Sequence, residues 1–211
     1  MKILLNIVLI FYGFFTVTND TEVKSVLVKN DLIVDDKQTV IDSTRSNENS
    51  NSVYSETEGL VYTGQRLFLN GKELPLDELP KLQTLYDVSK EEVGDWAKLF
   101  VAIKMEESGV DGKNSGLARV RNNLVGMRVP KRRETKCIGS TSTNYAIFKN
   151  WYEAVQDFKI FIDIKERGFI KKYNRLPHDE HEFVDYLYGS YNIYSKWQQD
   201  VHIILRNFRL K

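Results

Sequence analysis

The sequence feature that decides the fold lies at residues 93–109, which read VGDWAKLFVAIKMEESG. Its apolar side chains recur at steps of three and four residues, which predicts one apolar stripe along a helix. The stripe comprises Val93, Trp96, Ala97, Phe100 and Ile103. Ser89 and Glu92 have the spacing of a capping box, so we expect the helix to begin near Lys90. Gly109 follows Ser108 and predicts the end of the helix there.

One carboxyl group, that of Glu107, lies on the continuation of the apolar stripe. Trp96 and Glu107 are about three turns apart, so they share a face of the helix. Partial burial disfavours the charged form of a carboxyl group and raises its pKa, as a general acid requires near neutral pH. Glu107 is therefore a candidate catalytic acid. The alternative is an acid in solvent or in a structural ion pair, as expected for Glu106 on the neighbouring, more polar face.

The first 58 residues are expected to lie outside the folded domain. Lys2 precedes an apolar run over residues 3–15, which is short for a membrane span of about 20 residues. Residues 1–18 are therefore interpreted as a signal peptide or an N-terminal anchor. Residues 19–58 are rich in polar side chains and are interpreted as a flexible, disordered linker. We expect an exported protein, located in the periplasm, the cell envelope or outside the cell, and retained at the membrane if the anchor is not cleaved.

The charge of the chain indicates which kinds of polymer it could bind, and its cysteine content shows whether an internal disulfide is possible. The chain of 211 residues has a net charge of +1, but its first 58 residues hold 5 basic and 9 acidic residues, while the remainder holds 25 and 20. This mildly basic domain suits an anionic or neutral polymer and lacks the charge density of a dedicated nucleic-acid binder. Cys137 is the only cysteine, so no internal disulfide can form.

The run His178-Asp179-Glu180-His181 resembles a metal-binding cluster. No third ligand is evident near it in the sequence, and structural zinc sites usually have four ligands. Pro177 before it indicates a helix start, where acidic side chains are favoured by the helix dipole. We therefore expect neither a metal nor another cofactor.

The remaining patterns predict an α+β domain over residues 59–211 that is mostly helical and carries a small β flap. Asn70-Gly71 predicts a hairpin turn, while Pro75 and Pro80 exclude a long helix in this region. An extended flap or irregular hairpin is expected after Met127, followed by a strand. The flap covers residues 128–143, the strand residues 145–148, and further helices are predicted over 117–121, 151–164, 181–188 and 196–208.

Several short motifs occur in one order, with tight spacing, between residues 93 and 205. They are Glu107-Ser108-Gly109, Ser115-Gly116-Leu117-Ala118, Asn122-Asn123-Leu124-Val125-Gly126-Met127, Tyr145-Ala146-Ile147-Phe148, Trp151, Asp157-Phe158, and Tyr191 with Trp197 six residues later. This ordered set resembles the bacterial glucosaminidase domain of the peptidoglycan-hydrolase type, glycoside hydrolase family 73. The chain departs from the family pattern at Val110, where Trp is common, and at Val125, where Phe is usual.

The resemblance implies a lysozyme-like α+β fold and hydrolysis of the bond that follows N-acetylglucosamine in the glycan strands of peptidoglycan. It makes Glu107 the general acid. Glu134 corresponds to the second acid that family members often carry in the flap. Glu134 acts either in catalysis or in an ion pair with Arg132, Arg133 or Lys136. The N-acetyl group of the substrate is an alternative nucleophile, in which case no second carboxylate is needed.

The same resemblance suggests three substrate-binding residues, Asn123, Tyr145 and Tyr191. One amide of the Asn122-Asn123 pair is expected to fix the turn below the cleft and the other to contact the sugar. The two tyrosines are expected either to line the cleft and hydrogen-bond the N-acetyl group, or to pack in the core. Peptidoglycan glycan strands are the expected partner, with no nucleic acid and no stable protein partner. Two other functions stay open: a non-catalytic glycan-binding or structural module on the same fold, and a lytic transglycosylase.

Overall fold

The architecture comes from a computed structural model, which describes residues 58–211. The predicted signal segment and linker, residues 1–18 and 19–58, lie outside the described residues, apart from Glu58. About half of the described residues are helical and a few form short antiparallel strands, so the predicted α+β class is confirmed.

The described elements form two small sheets and a set of helices around one core. The strands are β1 (Leu60–Tyr62), β2 (Leu67–Leu69), β3 (Lys72–Leu74), β4 (Gly139–Ser140) and β5 (Ala146–Ile147). The helices are α1 (Leu82–Val93), α2 (Ala97–Ser108), α3 (Gly116–Arg121), α4 (Trp151–Tyr173), α5 (Glu180–Leu187) and α6 (Ser195–Arg206), with a 3₁₀ turn at Gly94–Trp96.

The hairpin predicted at Asn70-Gly71 is confirmed. Strands β2 and β3 pair antiparallel across this turn, and β1 pairs with the other edge of β2. The turn residues have φ angles of 50° and 74°, the left-handed values that a two-residue hairpin loop requires and that Asn and Gly tolerate best. Leu67 and Leu74 face each other across the pair and are both buried, which attaches this sheet to the core.

The predicted helix start near Lys90 is wrong, because the chain forms two helices where one was expected. Ser89 lies inside α1, and its hydroxyl donates to the carbonyl oxygen of Leu85 at 2.6 Å instead of capping a new helix. A serine hydroxyl can bond to the preceding turn of its own helix as readily as it caps one. Gly94, with a φ of 67°, then ends α1, and the 3₁₀ turn leads into α2.

Helix α2 lies at the centre of the fold. Residues 99–103 have no exposed surface, so the helix is buried on every side here and not along one stripe only. Helices α1 and α6 pack against it, and Phe100 contacts Phe158 of α4 with their ring centroids 4.9 Å apart. A helix that is apolar all round belongs in a core. Its end is as predicted: Gly109 has a φ of 86° and its N–H donates to the carbonyl oxygen of Met105 at 3.1 Å.

The predicted flap is an irregular hairpin beside the end of α2. Strands β4 and β5 pair antiparallel, and Arg128 forms an isolated bridge with Tyr145. The N–H of Ala146 donates to the carbonyl oxygen of Met127 at 2.8 Å, so the segment that follows Met127 lies along β5. The backbone of the flap is therefore held at Arg128 and at β4, while residues 129–138 between them have no helix or strand.

The other helices lie close to their predicted positions, with one extension. Helix α4 continues nine residues beyond the predicted end at Ile164, and it stops at Asn174, whose φ is 55°. Phe169 explains the extension, because it is buried and packs against Tyr186 of α5 at a centroid distance of 5.2 Å. Within residues 58–211 no helix combines the length and the apolarity that a membrane span requires.

A buried lysine secures the chain where it leaves α2. Only 2% of Lys104 is exposed, and its Nζ donates to the carbonyl oxygen of Gly109 at 2.7 Å and to Oδ1 of Asn114 at 2.6 Å. Burial lowers the pKa of Lys104 to about 8, against the opposing effect of the Asp111 carboxylate. The amine of Lys104 therefore joins the two ends of the loop after α2, although burying this group in its charged form costs free energy.

This lysine predicts a pH-dependent contribution to stability. Between pH 8 and the unfolded-state pKa of about 10.4, the unfolded chain binds more protons at this group than the folded one does. Stability from Lys104 therefore rises with pH across this window, by up to roughly 3 kcal/mol. We expect urea denaturation to show that the unfolding free energy of the wild type rises relative to that of Lys104→Met across this window. Lys98→Met, at a partly exposed position of the same helix, is the control; parallel pH profiles for wild type and Lys104→Met would contradict the expectation.

Candidate active site

A cleft of about 880 Å³ opens beside the end of α2. Its walls come from the flap, from the middle of α4 and from the connection between α5 and α6. The lining residues are Glu107, Gly126, Met127, Arg128, Val129, Pro130, Lys131, Arg132, Arg133, Tyr145, Phe161, Ile164, Lys165, Ser190, Tyr191, Asn192, Ile193 and Tyr194. Glu107 is the only one of them that carries a carboxyl group.

Glu107 occupies the last turn of α2 and is partly buried. Burial raises the pKa of its carboxyl group above the ordinary value. A hydrogen bond from Asn192 opposes the rise, the neighbouring Glu106 carboxylate adds to it, and the indole of Trp197 opposes it again. Nδ2 of Asn192 lies 3.3 Å from Oε1 of Glu107. The indole N–H of Trp197 acts on the carboxyl group without reaching hydrogen-bond geometry in this structure.

The turn that follows α3 fits closely around this carboxyl group. Gly126 has a φ of 63°, and a Cβ atom built on it would stand 3.0 Å from Oε2 of Glu107. Both the backbone angle and this approach favour glycine over any other residue. The motif of residues 122–127 therefore places its glycine directly against the candidate acid.

Three features of Glu107 bear on proton transfer. Its carboxyl group faces an open cleft, its pKa is raised by burial, and the surrounding groups restrict its orientation. A general acid needs a pKa near the working pH and contact with the group that it protonates. The structure thus places the sequence-predicted acid in a setting that suits acid catalysis.

Asn123 fixes the turn below the cleft and is not available to a sugar. It has no exposed surface, its Nδ2 donates to the carbonyl oxygens of Met127 and Ala146 at 2.8 and 2.9 Å, and its Oδ1 accepts the Met127 N–H at 2.8 Å. Asn122 also binds backbone, since its Nδ2 lies 3.2 Å from the carbonyl oxygen of Phe148. The expected contact between Asn123 and the sugar is therefore not seen. The side-chain amides of Asn122 and Asn123 both bond to backbone groups.

The two predicted tyrosines line the cleft but differ in how their hydroxyls are used. Tyr145 packs under the guanidinium of Arg128, which lies 4.6 Å from the ring centroid, and its hydroxyl makes no hydrogen bond within residues 58–211. The hydroxyl of Tyr191 donates to the carbonyl oxygen of Val125. Burial, with a smaller contribution from Glu107, raises the pKa of Tyr191. Tyr145 is therefore free to meet a ligand, whereas Tyr191 ties the α5–α6 connection to the turn.

Glu134 is exposed on the flap and does not line the cleft. Neither of its two expected roles is seen in this arrangement, since its carboxylate forms no ion pair with the described residues. The adjacent Arg133 instead donates to Asp157, with Nη1–Oδ1 and Nη2–Oδ2 distances of 3.0 and 2.6 Å. In the flap, Glu134 thus lies outside the cleft lining, and Arg133 points inward to Asp157 of α4.

The pair of Arg133 and Asp157 anchors the flap to α4. Asp157 has no exposed surface, and it also accepts the backbone N–H of Lys136 at 2.9 Å. A buried carboxylate that receives a bidentate guanidinium and a backbone N–H is held strongly and in one geometry. The sequence motif included Asp157, but only the structure shows that its partner is on the flap.

The sequence predicted no site role for several residues that line the cleft, among them Asn192 and Tyr194. Asn192 contacts Glu107, and Tyr194 is 70% exposed at the edge of the cleft. Both lie just after Tyr191, which matched a family motif, so proximity to this motif was the one available signal. Asn192 has no local pattern that predicts its contact with Glu107, 85 residues earlier in the chain.

The histidines form a pair that spans two helices. Nδ1 of His181 on α5 lies 2.7 Å from Nδ1 of His202 on α6, and Nε2 of His202 lies 2.9 Å from Oδ1 of Asp185. His178 contributes its backbone N–H to Glu182. In the part of the chain that the structure describes, no group of three or more His, Cys, Asp or Glu residues could hold a metal ion.

The buried anchor predicts unequal effects for two neighbouring arginines. Arg133→Met leaves the Asp157 carboxylate buried without its charged partner, and such a loss costs roughly 3–5 kcal/mol. Arg132→Met removes an exposed side chain and is expected to change the free energy of unfolding by less than about 0.5 kcal/mol. Chemical denaturation of both variants measures the difference. Equal stabilities would show that the pair does not hold the flap.

Comparison of the chain with protein-family models, with curated proteins and with solved structures gives no match in any of the three. Any function assigned to this chain therefore rests on the residues and the geometry described above.

Proposed function

We propose that this protein is a peptidoglycan hydrolase that cleaves glycan strands after N-acetylglucosamine, with Glu107 as the general acid. One observation carries the proposal: Glu107 is a partly buried carboxyl group with a raised pKa, at the floor of a cleft of about 880 Å³. The motifs that resemble glycoside hydrolase family 73 supply Gly126, Tyr145 and Tyr191 to the same cleft. The proposal includes a lysozyme-like arrangement, in which a central helix ends at the acid beside a small β flap.

The cleft supports a mechanism that needs a single protein carboxyl group. Glu107 gives its proton to the glycosidic oxygen as the bond from that oxygen to C1 of N-acetylglucosamine breaks. The carbonyl oxygen of the substrate's own N-acetyl group attacks C1 and forms a cyclic oxazolinium ion. Water then adds to C1, the Glu107 carboxylate takes the proton from this water, and the ring reopens. This route fits a cleft lining in which Glu107 is the only acid.

The charge of the cleft supports an anionic polymer as the substrate. Lys131, Arg132 and Lys165 line it together with Arg128, and Glu107 is the only acid among the lining residues. A cleft lined mainly by one sign of charge concentrates ligands of the opposite sign. Peptidoglycan carries carboxylates on its peptide stems, and on those lactyl groups that lack a stem, so its strands suit this cleft better than a neutral glycan does.

The single carboxyl group also favours a second candidate, a lytic transglycosylase. Such an enzyme uses one Glu on a lysozyme-like scaffold and produces an anhydro sugar where a hydrolase leaves a reducing end. Mass spectrometry of the products from purified peptidoglycan distinguishes the two reactions. If the wild-type protein binds glycan but never cuts it, both enzymatic hypotheses are wrong, and a non-catalytic glycan-binding module is the better interpretation.

The central prediction concerns Glu107→Gln. The amide keeps the shape of the side chain but has no proton to donate, so peptidoglycan cleavage is expected to fall by about 10²–10⁴-fold. Glu91→Gln makes the same change at an exposed position of α1, outside the cleft lining, and is expected to retain activity within a few-fold. Release of reducing ends measures the rate. A well-folded Glu107→Gln protein that cuts at the wild-type rate would remove Glu107 from the mechanism.

The same variant should not lose stability. Because burial raises the pKa of Glu107 in the folded protein, ionising it lowers stability as the pH rises through the range between the unfolded and folded values. Glu107→Gln has no such cost, so its melting temperature at pH 7 should equal or exceed that of the wild type. The difference should vanish well below the ordinary Glu pKa of about 4.3, where both states are protonated.

Glu134→Gln tests the two-carboxylate alternative. Because Glu134 is exposed and outside the cleft lining, we expect its loss to change the cleavage rate by less than about threefold, or 0.7 kcal/mol in the barrier. The measurement is the same release of reducing ends, with Glu107→Gln as the inactive reference. A loss of several orders of magnitude would instead show that the flap brings Glu134 to the substrate during turnover.

A further inference from the structure

The connection between α5 and α6 brings one amide side chain against the candidate acid. Nδ2 of Asn192 donates to Oε1 of Glu107 at 3.3 Å. Oδ1 of the same amide accepts the backbone N–H of Tyr194 at 2.9 Å, and the backbone carbonyl oxygen of Asn192 accepts the N–H of Gly189 at 2.8 Å. Asn192 is therefore held by its own loop on one side while it contacts Glu107 on the other.

These contacts determine which end of the amide faces the acid. A backbone N–H can only donate, so the group beside the Tyr194 N–H must be the amide oxygen. The NH₂ group then points at Glu107. An aspartate of the same shape could keep the bond to the Tyr194 N–H, but it would turn a second acceptor towards the Glu107 carboxyl group.

A second potential donor, the indole N–H of Trp197, lies near Glu107. Trp197, on the first turn of α6, is 4% exposed, and its indole N–H has no acceptor within the described residues. Its ring packs against Tyr191 at a centroid distance of 5.3 Å, so its position is fixed by the core. A buried N–H without a partner is uncommon and gains an acceptor when a nearby carboxylate turns towards it.

We propose that Asn192 is a positioning residue that aims the Glu107 carboxyl group into the cleft and stabilises the carboxylate left after proton transfer. The inference rests on the proposed function, since it takes Glu107 to be the acid. Burial favours the protonated form of Glu107, and the donor NH₂ group of Asn192 favours the carboxylate that proton transfer leaves. The family resemblance assigned no role to Asn192, so the proposal rests on the contact itself.

The test compares two changes at Asn192 with one matched change elsewhere. Asn192→Asp keeps the acceptor for Tyr194 and replaces the donor by an acceptor, while Asn192→Ala removes the whole amide. Gln199→Glu converts an amide to a carboxylate at an exposed position of α6 and controls for the added charge. The first readout is the titration of the Glu107 side-chain carbon by NMR, with Glu107→Gln identifying the signal. It requires no substrate and no activity.

We expect both Asn192 variants to raise the titration midpoint of Glu107. Loss of a donor to a charged group corresponds to a shift of about one pH unit for Asn192→Ala. Asn192→Asp should shift the midpoint further, because it adds a like charge, and Gln199→Glu should leave it unchanged. In peptidoglycan cleavage, the alkaline limb of the pH profile should move upward with the midpoint in both Asn192 variants. Their kcat should fall, while KM changes little.

The outcomes separate the inference from the proposed function. A Glu107 midpoint that is the same in Asn192→Asp, Asn192→Ala and Gln199→Glu would overturn the role of Asn192, whatever the activity. A shifted midpoint together with a wild-type protein that cuts no peptidoglycan would overturn the proposed function and leave the contact standing. If Asn192→Asp fails to fold, Asn192→Ala decides the question by the same titration.

Discussion

The complete burial of one helix is the constraint on which the rest of the structure depends. Residues 99–103 of α2 contact other parts of the protein on every side, so the helix has little freedom to shift or rotate. Glu107 lies in the last turn of this helix, at the boundary between the core and the cleft. The position of this carboxyl group is therefore set by apolar packing, and its raised pKa follows from the same burial.

Three separate segments converge on that helix end, and each is held by a polar contact. Asn123 uses its buried amide to shape the turn that presents Gly126. The hydroxyl of Tyr191 joins the α5–α6 connection to this turn, and Asp157 holds the flap through Arg133. Because these contacts are buried or partly buried, they are directional and costly to break. The cleft thus consists of irregular segments, each attached by polar contacts, around the end of a regular helix.

The environment of Glu107 combines opposing effects, which suits a group that must both hold and release a proton. Burial and the charge of Glu106 favour the protonated form, while Asn192 and Trp197 favour the ionised form. An acid held too firmly in its neutral state would protonate poorly, and one that ionises too easily would arrive without its proton. These effects come from residues on three different elements: Glu106 on α2, Asn192 on the α5–α6 connection and Trp197 on α6.

Features set by local chain geometry followed from the sequence alone. Periodicity placed Glu107 at the end of an apolar helix, and Gly109 and Asn70-Gly71 marked backbone angles that other residues adopt only with strain. The ordered motifs also identified the segments that meet at the cleft. The roles within those segments depended on partners that are distant in the chain. The Ser89 hydroxyl could either cap a new helix or bond to the preceding turn of its own helix. In the structure it donates to the carbonyl oxygen of Leu85 inside α1.

Only the tertiary structure decided that Asn123 binds backbone, that Arg133 turns inward to Asp157, and that Asn192 reaches Glu107. A polar side chain takes whichever partner the folded chain brings within about 3 Å, and sequence spacing does not specify that partner. The positions of helices and turns, and the place of Glu107 on its helix, depend largely on residues close together in the chain. Such local patterns can be identified in the sequence. The environment that sets the acid's pKa arises from contacts between remote segments, and these exist only once the core has formed.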